Sequence, residues 1–281
     1  MSLSEILLTK KTADDNEVRR QEMPAGRGSS ERIVGLLQRF RINALRLAVT
    51  ACVTAPGGFH AEAVDAGWSG HGAASVVGRI TLVGNLPASK ALPVFKNRAF
   101  CGPTVPDETL LVDREGGLKN AVVVLHAIDR IASAQPAQAV LDNRHCAFAP
   151  HVQVVTVGSE LQLKNSDPIL HTVHARLGME TLFNVGLPKW RQVTKRLDRA
   201  GVVKINCDVL HTWMSAAIVV TDSPYFAVSD ERGFYRIDGL PSGVYEMEIW
   251  HERLGVRIQK FQVGETGAVT VDIVYSVEKI H

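Results

Sequence analysis

The stretch "CDVLHTWM", Cys207 to Met214, places a thiol, an imidazole and a thioether within eight residues of a 281-residue chain that has only four cysteines and five methionines. All three are soft or borderline metal ligands. One thiolate and two imidazoles in a plane, with a weak thioether on the axis, is the donor set that holds copper for electron transfer. A single short loop cannot surround an ion, so a second imidazole has to come from elsewhere in the chain. His171 in "NSDPILHTVHA" is the expected donor, because it follows the alternating strand "ELQLKN" and an Asp-Pro turn signal, which places it on a loop at the end of a sheet. The candidate metal ligands are therefore His171, Cys207, His211 and Met214, and the expected cofactor is one copper ion.

Strand phase orients the thiol. In "GVVKINC" the residues Val203, Ile205 and Cys207 point one way and Val202, Lys204 and Asn206 the other. Cys207 thus leaves its strand on the apolar side, where a thiolate is costly without a cation beside it. Taken singly, each residue has a plainer reading: Cys207 as a small buried hydrophobe, Met214 beside Trp213 as core, His211 as a surface histidine. Their combination with His171 is what points to a metal. His174, three residues after His171, would face the opposite side of an extended strand. His151, at a strand entry beside Pro150, reads as structural, with a second metal site as the alternative. His126 and His251 have no partner recognisable from sequence.

A β framework must position these groups. "VVGRITLVG", "NAVVVLHAI", "VQVVTVG", "SELQLKN", "GVVKINC", "AAIVVTD", "GVYEMEIW" and "AVTVDIVYSV" are short β-branched runs bounded by Gly, Pro, Asn or Asp, which predicts an all-β protein of sandwich type. A helical turn or two is expected in "DRIASAQPAQAVLD", limited by Pro136. The divisions expected are a leader over 1–63, a linker over 64–75, an N-terminal β region over 76–145, the region of the metal ligands over 146–222 and a compact set of strands over 223–281. In the last, Tyr245, Met247 and Ile249 would face a core and Glu246 and Glu248 would face water.

Composition narrows the function classes. The first 63 residues hold nine Lys or Arg and seven Asp or Glu, leaving 22 of each sign in the rest, and so neutral a body lacks the basic face of a nucleic-acid binder. No apolar run approaches a membrane span. Residues 39–63 have the order of an export signal, with basic residues, a short apolar stretch interrupted by Arg46, and "AEA" at the end; "VTAC" at Val49 to Cys52 also fits a lipoprotein box that would anchor Cys52. Periplasmic or other exported placement is the expectation. In an oxidising compartment the three remaining cysteines suggest one disulfide and one thiol kept for another purpose, with Cys101 and Cys146 the expected pair.

The segments "CAFAPHVQVVTVGSELQLKNSDPILHTV" and "GVVKINCDVLHTWMSAAIVV" together resemble a cupredoxin of the plastocyanin and amicyanin kind, with an "N-x-D…H-x-V" segment and a closing Cys, His and Met loop. The resemblance covers residues 146–222 and implies a Greek-key β-sandwich with a type 1 copper held by His171, Cys207, His211 and Met214. Three residues separate Cys207 from His211 here, where amicyanin-like loops have two. "SDERGFYRIDGLPSGVYEMEIW" resembles a carboxypeptidase regulatory-like, transthyretin-type sandwich, as does the opening "GRITLVGNLP…GGLKNAVVVL". The metal-ligand region would then be inserted within, or packed on, one discontinuous sandwich. The combination is similar to exported bacterial proteins labelled plastocyanin-like or methylamine-utilisation proteins. It implies single-electron transfer with a redox protein such as a c-type cytochrome or a periplasmic oxidase, His211 being the electron port if its outer edge reaches the surface. A copper-binding or storage module and a metal-free adhesion sandwich are the alternatives. An enzyme is not expected, since four protein ligands leave no open position and no nucleophile-base pair stands out.

Overall fold

A computed structural model describes residues 73–279 apart from 86–87, 89 and 130–132; the leader, Cys52 and most of the linker lie outside the described residues. The chain's regular secondary structure there is nearly all strand. It opens with β1 (Ala73–Val83), an arm of β2 (Ala91–Pro93), the single-turn helix α1 (Arg98–Cys101) and β3 (Thr104–Pro106), and then β4 (Val122–Ala127). A middle run follows: β5 (Gln138–Arg144), β6 (Ala147–Ala149), β7 (Val152–Thr156), β8 (Ser159–Asn165), β9 (His171–Leu177), β10 (Glu180–Leu187), β11 (Gln192–Leu197), β12 (Gly201–Asn206) and β13 (Ser215–Thr221). The last strands are β14 (Tyr225–Val228), β15 (Phe234–Leu240), β16 (Gly243–His251), β17 (Gly255–Val263), β18 (Thr266–Thr270) and β19 (Ile273–Ser276).

Two sandwiches result. One pairs the sheet β10-β9-β12-β13-β7 with the sheet β11-β8-β5-β6 over a core that includes Leu141, Phe148, Leu161, Leu163, Val173, Val203 and Ile205. The other sets β15-β1-β18, with β19 also on β1, against β14-β4-β16-β17, and its core runs from Ala74 to Tyr275. Strands β1 and β4 of the second sandwich thus come from before the middle run and the rest from after it. Tyr245, Met247 and Ile249 are fully buried in its core, while the side chains of Glu246 and Glu248 reach water.

The strands that lack alternation are explained by burial on both faces. In β4, Val123 and Leu125 enter the second core, while Val122 and Val124 meet Val152, Ala217 and Val219 in a third apolar layer between the sandwiches. In β13, Ala216, Ile218 and Val220 serve the first core and Ala217 and Val219 serve that layer. The runs "AVVVL" and "AAIVV" are thus the two contact surfaces of one joint.

One expectation is overturned. The segment expected to hold a helical turn carries β5, which pairs in parallel with β8, Leu141 lying opposite Leu163. Pro136 blocks a helix, and Leu141 and Asn143 both turn inward at the two-residue spacing of a strand.

Gly233, the turn glycine before β15, has φ +81°, and its carbonyl oxygen accepts the Ile80 N–H at 2.8 Å. A Cβ there would stand 2.3 Å from the Ile80 carbonyl oxygen, with Gly117 Cα at 3.1 Å, so the joining of early and late strands depends on a bare backbone. Gly233→Ala is expected to lower stability by roughly 2 kcal/mol or more in denaturant unfolding; a change within about 0.5 kcal/mol, the range of an ordinary surface substitution, would show that the turn relaxes freely.

Candidate metal centre

His171 is the first residue of β9 rather than part of the preceding loop, and Cys207 directly follows β12, the neighbouring strand. The loop from Cys207 to Met214 then returns to β13. Within it Leu210 has a left-handed backbone (φ 66°) and is 64% exposed, while the next residue, His211, is fully buried. The Met214 N–H closes the loop on the His211 carbonyl at 2.9 Å. Met214 is buried in the same core as Cys207.

Three of the four candidate ligands converge. Cys207 Sγ lies 3.9 Å from His171 Nδ1 and 3.6 Å from His211 Nδ1, and the two Nδ1 atoms are 3.1 Å apart. Both imidazoles are fully buried, and Cys207 nearly so. The point equidistant from these three atoms is about 2.1 Å from each, which is the bond length of imidazole nitrogen to a first-row metal and slightly short for sulfur. No ligand atom has to travel far to share one ion.

The outer nitrogens are already committed. His171 Nε2 lies 3.0 Å from Asp167 Oδ2, an oxygen that only accepts, so this nitrogen carries the hydrogen. His211 Nε2 lies 2.8 Å from Asn97 Oδ1 and donates likewise. Burial pushes the pKa of His171 down against the pull of Asp167, and burial, His171 and Lys96 push that of His211 down to about 4. Both rings are therefore neutral at pH 7, and each points an Nδ1 lone pair into the same small space. Among three acceptors, at most one hydrogen, that of the thiol, is left to share. A cation removes the conflict.

The supporting shell is precise. Asp167 is buried and accepts the N–H groups of His145 at 2.7 Å and Cys146 at 2.9 Å. His145 and Cys146 are the two central residues of the β5–β6 hairpin, both with positive φ, the type I′ geometry that glycine or asparagine ordinarily fills. The Asp167 carboxylate and the Cys101–Cys146 disulfide hold them there instead. The Thr172 N–H points at Cys207 Sγ at 3.3 Å, and the Asp208 N–H donates to Thr172 Oγ1 at 2.6 Å, which itself faces the sulfur at 3.7 Å. Trp213 lies against the His211 ring at 5.1 Å and donates its indole N–H to the Cys146 carbonyl.

The remaining histidines take other roles. His174 faces away from the site and contacts Thr181 and Asp208. His151 is buried 2.6 Å from Glu252, on the far side of the joint, and His251 accepts the Arg253 N–H. His126 has Glu248 at 3.7 Å. Among the described residues His171, Cys207 and His211 form the one group of three or more His, Cys, Asp or Glu close enough to share a metal ion. Asn97 and Thr172 carry no sequence signal for the site, and Asp167 before Pro168 reads as a turn residue and as part of the "N-x-D" segment, with no role towards His171.

No protein-family model and no curated protein matches the chain. Solved structures do. A purple cupredoxin from Nitrosopumilus maritimus is 21% identical over 30% of this chain and 99% of its own, with a TM-score of 0.27. A reduced amicyanin variant is 20% identical over 36% of this chain and 98% of its own, TM-score 0.26. A copper-containing nitrite reductase from Thermus scotoductus SA-01 is 18% identical over 34% of this chain but only 25% of its own, TM-score 0.28. By its strand content and sheet pairing the fold class is all-β, one sandwich combined with a second.

The depressed histidines fix the pH response of the metal-free chain. His171, His211 and His251 all bind protons more weakly folded than unfolded, so folding stability must fall as pH drops from about 6.5 towards 4. The raised pKa of His151 acts only above that window. Urea midpoints measured across it should decline steadily, and less steeply in His211→Gln; a slope identical in the two proteins would contradict neutral burial of His211.

Proposed function

We propose that the first sandwich binds one copper ion, which His171 Nδ1, His211 Nδ1 and Cys207 Sγ would hold with Met214 as a weaker fourth donor, and that the protein is an exported single-electron carrier. The observation that carries the reading is the pair of inward lone pairs 3.1 Å apart beside a buried sulfur, each imidazole fixed in its tautomer from behind. Two imidazoles, a thiolate and a thioether suit copper better than zinc or iron. When bound, the ion supplies a one-electron couple. The chain's own part is to hold the three donors rigid, so that little reorganisation accompanies the change of charge, and to keep water from the site.

The disulfide fits an oxidising compartment, and the partner proposed is a redox protein such as a c-type cytochrome or a periplasmic oxidase. The C-terminal strands would serve as a transthyretin-type support of the kind their turn sequences resemble. One feature favours a second reading, a module that holds copper without passing electrons. The outer edge of His211 does not reach the surface: the residue is fully buried and its Nε2 is bonded to Asn97. Under the transfer reading, electrons would leave by Cys207 and the exposed Asp208 instead.

Titration of the full-length chain with Cu(II) should give one equivalent bound, an intense visible thiolate band and a narrow EPR hyperfine splitting, with the band lost in Cys207→Ser. Retention of the band in that variant, or unchanged copper stoichiometry in both Cys207→Ser and His171→Ala, would end the proposal. Fast reversible oxidation by a c-type cytochrome separates transfer from holding.

A further inference from the structure

The arm from Ala91 to Pro106 lies over the edge of His211 that faces away from Cys207. Its base is well anchored: β2 and β3 pair, and Val94 and Val105 are buried in the same core as Cys207. Its tip is different. Every residue from Phe95 to Phe100 is exposed, so apolar burial does little to hold it. Two attachments reach the body of the sandwich, the contact of Asn97 with His211 and the disulfide from Cys101 to Cys146.

Asn97 is used in an unusual way. It stands at the N-cap of α1, where an asparagine side chain ordinarily accepts a helix N–H, yet it makes no cap hydrogen bond and sits in the left-handed region at φ 56°. Its side-chain oxygen Oδ1 instead accepts the His211 Nε2–H. The far end of the disulfide is equally placed, since the Cys146 N–H donates to the same Asp167 oxygen that faces His171 Nε2. One covalent bond therefore joins the segment that orients His211 to the turn that orients His171.

We propose that the Cys101–Cys146 disulfide is a thiol-sensitive latch on the metal centre: closed, it keeps Asn97 on His211 and shields that ligand from water; reduced by a dithiol, it frees the tip of the arm and opens the site. The proposal rests on the metal reading above and adds its regulation. Cys101 is the partly exposed residue of the pair and Cys146 the buried one, so the attack is assigned to Cys101 Sγ by a thiolate of the dithiol. The S–S bond breaks and Cys146 leaves as a thiolate that takes up a proton. The second thiol of the reductant then displaces Cys101 as it closes its own disulfide, giving two protein thiols for one dithiol oxidised. Asn97 acts as a positioning residue, and the disulfide positions Asn97.

The test is made on the full-length, metal-free chain by reaction with diethylpyrocarbonate, with modified histidines located by peptide mass. His211 should react roughly tenfold faster after dithiol treatment, and in Cys101→Ser and Asn97→Ala, than in the disulfide-closed protein, while His151 and His251 keep their rates. Asn97 is exposed, so Asn97→Ala keeps the test decisive should Cys101→Ser fail to fold. Unchanged protection of His211 in a chain whose Cys101 and Cys146 have become alkylatable would overturn the latch, as would equal acceleration at all the buried histidines, which signals general loosening. Because this readout needs no metal, failure of the copper titration sinks the metal reading separately.

Discussion

Two neutral imidazoles held with their Nδ1 lone pairs 3.1 Å apart are the constraint around which this sandwich is organised. Left alone, they would turn to find hydrogen-bond donors or move apart. They cannot, because Asp167 and Asn97 occupy their outer nitrogens, and Trp213 and the buried core pack their faces. These hydrogen bonds and this packing hold the two Nδ1 atoms facing each other, and a cation placed between them would satisfy both lone pairs.

The enforcing contacts reach outward through the fold. Asp167 is itself positioned by two consecutive N–H groups of a strained hairpin turn, and that turn is tied by the disulfide to the arm that carries Asn97. Strands β9 and β12 lie side by side, which brings His171 to Cys207 across one strand spacing. The sheet bearing them is backed by a second apolar layer against β4 of the other sandwich, so it is stiffened from both faces. A rigid site suits a one-electron couple, and it equally suits tight retention of the ion; the buried edge of His211 is where those two uses diverge.

How much of this could be read in advance depends on how local the signal is. The period-two alternation of "GVVKINC" places Cys207 inward from sequence alone, and the burial of Val203 and Ile205 agrees with that phase. The Cys, His and Met spacing is equally local. Asn97 could not have been found this way, because it meets His211 across 114 residues and its type signals only a turn or cap. Asp167 was visible but ambiguous, since Asp before Pro serves a turn whether or not its carboxylate has a second duty. β5 was hidden by alanines that favour a helix when tertiary pairing is ignored, and its partner β8 decided the matter. Leu210, between Cys207 and His211, adopts a left-handed backbone at a cost of about 1 kcal/mol, a local conformation that its residue type does not announce.

X-ray absorption at the copper K-edge of the loaded full-length protein reads the donor atoms around the ion themselves. The scattering should show one short sulfur shell and two imidazole shells at unit copper stoichiometry. A shell of nitrogen and oxygen scatterers alone, with no sulfur, would contradict the assignment of Cys207 and the two facing histidines as the metal centre.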